Sequence, residues 1–248
     1  MATKGDKPRK DIERFTGYFK KQLEEISQLT TTSAELYRRL LYVSVLDTLA
    51  GSVLPKRRNK DRFTYFIQRF CQWPDGDRVS LPHLVQLLRK NPDPVFEHLR
   101  EWATEKHKIM PMGGGALVPI GKDPTFDEAK REWPVSADHR TPIEGVDLAS
   151  LRHYQLHYTY RNMLVHELRL PGYGMEFEND LEPFYHGMST VGTSANITDT
   201  VELVYPWRFL HRLCEKGLEQ LQKYFTVNGL NPYDSFVFGT YWIRELNK

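Results

Sequence analysis

Apolar residues recur at three- and four-residue steps along much of this chain, and that spacing constrains its fold more than any other feature. The first such stretch covers residues 11–26 and has five apolar positions, namely Ile12, Phe15, Phe19, Leu23 and Ile26. A period of three to four residues places side chains on one face of an α-helix. The sequence therefore predicts a mainly α-helical protein, with further helices over 34–54, 62–72, 81–90, 94–106, 148–170 and 206–224.

Two segments depart from the helical pattern. Residues 107–146 contain GGG, several prolines and few periodic apolar positions, which indicates an irregular insertion. Residues 175–205 contain the short runs EPFYHG and VELVYP, separated by a polar stretch, and these runs predict a small β-hairpin excursion. We expect the basic residues 1–10 to be flexible and residues 11–248 to form a single helical domain.

Composition narrows the class of protein. Hydrophobic residues make up 40% of the chain and charged residues 27%, which favours a packed core over disorder. The formal net charge is only +2, so a polyanion must be held by local basic clusters. The two cysteines, Cys71 and Cys214, favour a reducing compartment. The N-terminus has no apolar signal region, and no apolar run reaches the about 20 residues of a membrane helix, so we expect a cytoplasmic protein.

The segment TYRNMLVHEL contains the side chains best suited to chemistry, Arg161, Asn162 and His166. RNA can be cut without a metal when its own 2′-hydroxyl attacks the phosphate. That reaction needs a group that titrates near neutrality, as histidine does, and a fixed positive charge at the phosphate, as arginine supplies. Asn162 is suited to positioning the imidazole or the phosphate. These three are the predicted catalytic residues, with no metal and no cofactor.

The spacing of the three residues restricts how they can meet. Asn162 and His166 are four apart and share one face of a helix. Arg161 and His166 are five apart, which is about 140° around an ideal helix. They converge only if the long arginine side chain wraps around the helix or if a partner subunit supplies one of them. This geometry favours a composite site in a homodimer.

An arginine, a polar residue, three further residues and a histidine, with helices on both sides, resemble the signature of the HEPN superfamily. The resemblance implies a bundle of four or five helices that dimerises, with the motif at the start of a late helix. It also implies a metal-independent endoribonuclease that leaves a 2′,3′-cyclic phosphate and a 5′-hydroxyl. The expected setting is a bacterial toxin, abortive-infection or phage-defence system with an antitoxin or defence partner. Leu168 departs from the tyrosine found in one branch of the family.

Other histidines offer alternative constellations. Arg152 with His153 and His157 fits a similar motif, and Arg78 with His83 fits a looser one. The two histidines of the first set lie four apart, a spacing compatible with zinc, but no third ligand is evident. We interpret this stretch as a solvent-exposed face that leads into the cleft, where His157 has a supporting role.

Further residues are assigned supporting or binding roles. Tyr158 can stack on a base or contact a second subunit. Asp47 lies among apolar residues, where a carboxylate usually needs a partner. The resemblance implies that it pairs with Arg161 or orients His166, and the alternatives are a polar residue at the rim or an aspartate paired with an arginine elsewhere. The loop KRRNK contributes Lys56, Arg57 and Arg58, which either follow an RNA backbone or are simply solvated.

Two other functions are compatible with the same residues. One is a non-catalytic HEPN-like module that binds a nucleotide, RNA or a protein partner. The other is a structural dimerising subunit of a larger complex, in which Arg161 and His166 face packed protein instead of an open cleft.

Overall fold

The computed structural model describes residues 6–110, 115–134, 139–172, 174–177, 180–191 and 197–235. These residues are mainly helical and include one small antiparallel sheet, so the predicted fold class is confirmed. The helices are α1 (Asp6–Ser27), α2 (Ala34–Val53), α3 (Asn59–Phe70), α4 (Leu81–Lys90), α5 (Glu97–Lys108), α6 (Phe126–Arg131), α7 (His153–Glu167) and α8 (Trp207–Asn228). The strands are β1 (Leu117–Pro119), β2 (Phe184–Val191) and β3 (Ile197–Val204). No helix in the described ranges is both long and apolar enough to cross a bilayer.

The chain divides into two compact units. The first unit consists of residues 1–72 and 211–248, and the second consists of residues 73–210. The expectation of one domain over 11–248 stays a prediction, because the compactness of each unit does not decide whether the two fold together.

The first unit is built from α1, α2, α3 and the part of α8 that begins at residue 211. Phe15 of α1 lies edge-on to Phe225 of α8, with ring centroids 6.1 Å apart. A Cβ on Gly217 would lie 2.9 Å from the Phe66 ring, so the glycine allows α8 to approach α3 closely. Helix α1 begins at Asp6, inside the segment predicted to be flexible, and residues 1–5 lie outside the described ranges, so the flexibility of residues 1–10 stays a prediction. Proline at position 8 is compatible with this start because the first turn needs no backbone donor there.

The second unit contains α4 to α7 and the sheet, whose strand order is β1-β2-β3. The predicted hairpin excursion at 175–205 is confirmed, and its strands extend into the polar stretch that was expected to separate them. The insertion at 107–146 is more regular than expected, because it contributes β1 to the sheet edge and also contains α6. Helix α6 begins with a capping box in which Thr125 and Glu128 bond to each other's backbone N–H.

A buried carboxylate joins three elements of the second unit. Asp123 is 1% exposed, and its Oδ1 accepts a hydrogen bond from the backbone N–H of Leu81 at the start of α4. Its Oδ2 lies 2.7 Å from Nε2 of His153 in the first turn of α7 and 2.6 Å from the hydroxyl of Tyr185 on β2. Three donors thus surround the buried carboxylate of Asp123. These hydrogen bonds hold α4, α7 and β2 against the segment that precedes α6.

Ser80 occupies the N-cap position of α4. Its hydroxyl makes no capping bond to α4. The hydroxyl lies 2.6 Å from Nδ1 of His83 and 2.7 Å from the Tyr185 hydroxyl. The first N–H of α4 is satisfied by Asp123 instead, so the serine is available to connect His83 to the buried network.

Asp123→Ala should lower the free energy of unfolding by about 3–5 kcal/mol, because Leu81 and His153 would each keep a buried donor without its acceptor and Tyr185 would lose one of its two partners. Urea titration followed by circular dichroism measures this loss. Asp127→Ala is the matched control, since Asp127 is exposed on α6, and it should change stability by no more than about 0.5 kcal/mol. Equal effects of the two substitutions would show that the network does not hold the unit together.

Candidate active site

The Arg161, Asn162 and His166 trio lies in the last two turns of α7, which ends at Glu167. The expectation that the motif stands at the start of a helix is therefore wrong. The physical reason lies in the preceding residues, because four side chains of HYQLHYTY are buried at helical spacing and extend the helix two turns upstream, namely His153, Tyr154, His157 and Tyr160. Leu168 ends the helix in the left-handed conformation, with φ 51°.

The three side chains of this trio meet within one chain. Nη1 of Arg161 donates to Oδ1 of Asn162 at 3.0 Å and lies 3.4 Å from Nε2 of His166. A guanidinium has only donors, so Nε2 is the acceptor and the proton of the neutral imidazole is on Nδ1. Of the two routes that the spacing allowed, the arginine side chain takes the one that wraps around the helix.

The trio combines a fixed charge with an accessible imidazole. Arg161 is 7% exposed, Asn162 is half-buried and His166 is exposed. The guanidinium carbon lies 5.9 Å from the centre of the Tyr158 ring, which is within range of a cation–π contact. The C-terminal end of a helix also favours positive charge. Burial and these neighbours hold the arginine in one place beside a histidine that solvent and large ligands can reach.

The other two histidines of α7 lie in the interior. His153 and His157 are each 0% exposed, so the interpretation of their face as solvent-exposed is wrong. His153 is bound to Asp123, and the ring of His157 packs among aromatic rings, those of Trp73, Tyr160, Tyr205 and Phe209. Burial lowers the pKa of His157 to about 3, so this ring is neutral at physiological pH. Its contribution to the trio is to fix α7 by packing.

The remaining predicted residues belong to the first unit. Asp47 on α2 lies 3.6 Å from the guanidinium of Arg62 on α3, which agrees with the alternative that it pairs with an arginine elsewhere. Lys56, Arg57 and Arg58 are exposed between α2 and α3, and the Arg57 guanidinium lies 4.7 Å from the centre of the Tyr65 ring. Their roles in catalysis or in RNA binding stay predictions.

Sequence reasoning missed the buried network around Asp123. It considered His83 only as part of a loose arginine–histidine spacing, although Ser80 lies three residues before it on the same helical turn. Nothing local indicates Asp123 or Tyr185, because their partners lie 30 to 105 residues away in sequence. The described residues contain no group of three or more histidine, cysteine or acidic side chains suited to a metal ion.

The chain was compared with protein-family models, with curated proteins and with solved structures, and it matches none of them.

The buried neutral His157 should make stability depend on pH. In the unfolded chain His157 binds a proton below its ordinary pKa of about 6.5, whereas in the folded protein it does so only near pH 3. The free energy of unfolding therefore falls as the pH is lowered through this range. Between pH 8 and pH 5, urea titrations should show the protein losing about 2 kcal/mol more than the His157→Phe variant. If the free energy of unfolding fell equally with pH in the protein and in His157→Phe, His157 would not be buried in its neutral form.

Proposed function

We propose that this protein is a metal-independent endoribonuclease whose catalytic groups are Arg161, Asn162 and His166. One observation carries the proposal. The guanidinium of Arg161 is nearly buried, and its Nη1 lies within 3.4 Å of both the amide oxygen of Asn162 and the imidazole of the exposed His166. These are the groups that cleavage of RNA through its own 2′-hydroxyl requires.

The reaction begins when an RNA phosphate reaches the trio. A phosphate oxygen takes the hydrogen bond that Arg161 gives to His166 in the free protein, and this exchange frees the lone pair on Nε2. The imidazole then removes the proton from the 2′-hydroxyl, and O2′ attacks phosphorus. The bond from phosphorus to O5′ breaks, and the departing oxygen takes a proton from a water molecule. The protonated imidazole gives its proton to the resulting hydroxide, which restores both the water and the base. The products are a 2′,3′-cyclic phosphate and a 5′-hydroxyl.

The resemblance to the HEPN superfamily adds three elements to the proposal. It adds a homodimer, a role in a bacterial toxin, abortive-infection or phage-defence system, and a partner that restrains or triggers the nuclease. Because the trio converges within one chain, we assign a complete set of the three residues to each protomer.

Replacement of His166 should separate catalysis from folding. His166→Ala should reduce the rate of RNA cleavage by about 10²–10⁴-fold, the range attributed to a general base, and Arg161→Ala should reduce it by about 10²–10³-fold. The control His98→Ala removes an exposed histidine on α5 and should leave the rate unchanged. The assay uses fluorescently labelled RNA with a chelator present. Unchanged cleavage by His166→Ala, or loss of all cleavage in the chelator, would exclude this mechanism.

One observation favours a second candidate, an RNA-binding module without catalysis. The Nε2 lone pair of His166 is engaged by Arg161, and a permanently engaged lone pair cannot accept a proton. Fluorescence anisotropy with 2′-O-methyl RNA, which cannot be cleaved by this route, measures binding separately. Binding that depends on Arg161, with no cleavage of ordinary RNA, would identify the module.

Mixing two inactive variants tests where the catalytic groups come from. If each protomer has a complete set, a mixture of Arg161→Ala and His166→Ala proteins stays inactive, because every protomer lacks one group. If arginine and histidine came from different protomers, a mixed dimer would contain one intact site and activity would return. The mixture should be incubated long enough for subunit exchange, with wild-type protein mixed with His166→Ala as the positive control.

A further inference from the structure

A second face of α7 borders a small cavity that the proposed nuclease chemistry does not use. The cavity has a volume of about 170 Å³, and Thr159, Tyr160 and Met163 contribute to its wall from α7. Tyr205 and Glu202 complete the side formed by the end of the hairpin, and His83 reaches it from α4. All of these residues belong to the second unit.

The size and walls of the cavity suit one aromatic ring. A cavity of roughly 150 Å³ is enough to hold benzene, so a volume of about 170 Å³ admits a six-membered ring with a small substituent. The rings of Tyr160 and Tyr205 lie 5.0 Å apart at 64° to each other, which presents both a face and an edge to a planar ligand. A purine, with two fused rings, is a poorer match in size.

The network that ends at Asp123 determines which nitrogen of His83 has a proton. Asp123 only accepts, so Tyr185, which has one hydrogen, donates it to the carboxylate. The contact of 2.7 Å between Tyr185 and Ser80 then requires the serine hydrogen, and the contact of 2.6 Å between Ser80 and His83 requires a hydrogen on Nδ1. The other nitrogen of the neutral His83 ring, Nε2, is therefore an acceptor.

His83 is neutral near pH 7 in this setting. The side chain reaches solvent, but the protein packed around the imidazole removes water from it, and this desolvation lowers its pKa. His153 lowers the pKa further, and Asp123 acts in the opposite direction. Each shift follows from the position of the ring between the cavity and the buried network.

Glu202 supplies the second acceptor. Its Oε1 accepts from the hydroxyl of Thr200 at 3.1 Å, and no described lysine or arginine forms an ion pair with it. The turn at Gly172 lies directly against the carboxylate, since a Cβ at that glycine would be 1.8 Å from Oε2. Gly172 also has a φ of +73°, which favours glycine, so the backbone encloses Glu202 at the edge of the cavity.

The cavity has space for one ring between Tyr160 and Tyr205, and it has two acceptors, Glu202 and His83. We infer that this cavity binds the base of a cytidine nucleotide. The exocyclic amino group of cytosine offers two hydrogens, which suit the Glu202 carboxylate and Nε2 of His83. Uracil has a carbonyl oxygen at the same position, and two acceptors repel it. The binding site stands on its own geometry, while its use as the reader of a preferred RNA base rests on the proposed nuclease function.

The test is titration of the full chain with free cytidine and free uridine, followed by NMR or calorimetry. Cytidine should bind at least about tenfold more tightly than uridine, because at the 4-position of the ring cytosine has an amino group that donates to the two acceptors, whereas uracil has a carbonyl oxygen that they repel. Glu202→Gln preserves the side-chain shape and adds an amide donor. The substitution should therefore weaken the binding of cytidine by about tenfold and strengthen the binding of uridine. The matched control is Glu167→Gln, an exposed glutamate of α7 outside the cavity, which should change neither affinity.

Equal binding of the two nucleosides, or no binding of either at millimolar concentration, would overturn the inference. So would a Glu202→Gln protein with unchanged preference. Failure of the nuclease proposal is a separate result, because cytidine binding needs no cleavage and should persist in His166→Ala. Conversely, a protein that cuts RNA but does not bind cytidine would leave the nuclease proposal intact and overturn only this site.

Discussion

The second unit depends on one buried negative charge. Asp123 is almost completely removed from solvent, and a carboxylate in that position is tolerated only when donors surround it. The donors come from a backbone N–H on α4, an imidazole at the start of α7 and a phenol on β2. Because these three groups are distant in sequence, the carboxylate determines how α4, α7 and the sheet meet. The network also extends through Tyr185 and Ser80 to the surface at His83.

Helix α7 connects this network to both candidate sites. Its first turn is held by Asp123, and its buried aromatic face is packed around the neutral His157. Its last turns position Arg161 beside His166, where a nearly buried charge meets an exposed imidazole. A third set of positions on the helix borders the cavity lined by His83 and Glu202. One well-anchored helix can therefore hold a reactive phosphate on one face and a base on another.

Periodicity predicted the helices well because it reports burial, the property that dominates helix packing. The hairpin was also predictable from its two apolar runs, although its strands continue into polar sequence. The capping box at Thr125 was visible as a threonine followed three residues later by a glutamate, a signal that the glycines and prolines of the insertion obscured. The local sequence pattern did not predict that His153 and His157 are buried, because histidine is polar and its burial depends on partners supplied by the tertiary structure.

In the candidate sites, too, residues close in sequence were predictable and contacts between distant residues were not. Sequence spacing identified Arg161, Asn162 and His166, and it also identified the arginine side chain's path as one of two possibilities. It contained no signal for Asp123 or Tyr185, whose contacts span 30 to 105 residues. The resemblance placed the motif at the start of its helix, which is wrong, whereas the periodicity that predicted a helix over 148–170 placed the motif in the second half, where the structure has it.

Long-range ¹H–¹⁵N correlation spectra of the histidine side chains at neutral pH test most directly whether Asp123 controls these proton positions. The proton of His153 should be on Nε2, where it faces Asp123, and the proton of His83 should be on Nδ1, where it faces Ser80. A His83 ring protonated on Nε2 would contradict the account, because the serine would then donate to the imidazole and the proton between Tyr185 and the carboxylate would have to belong to Asp123.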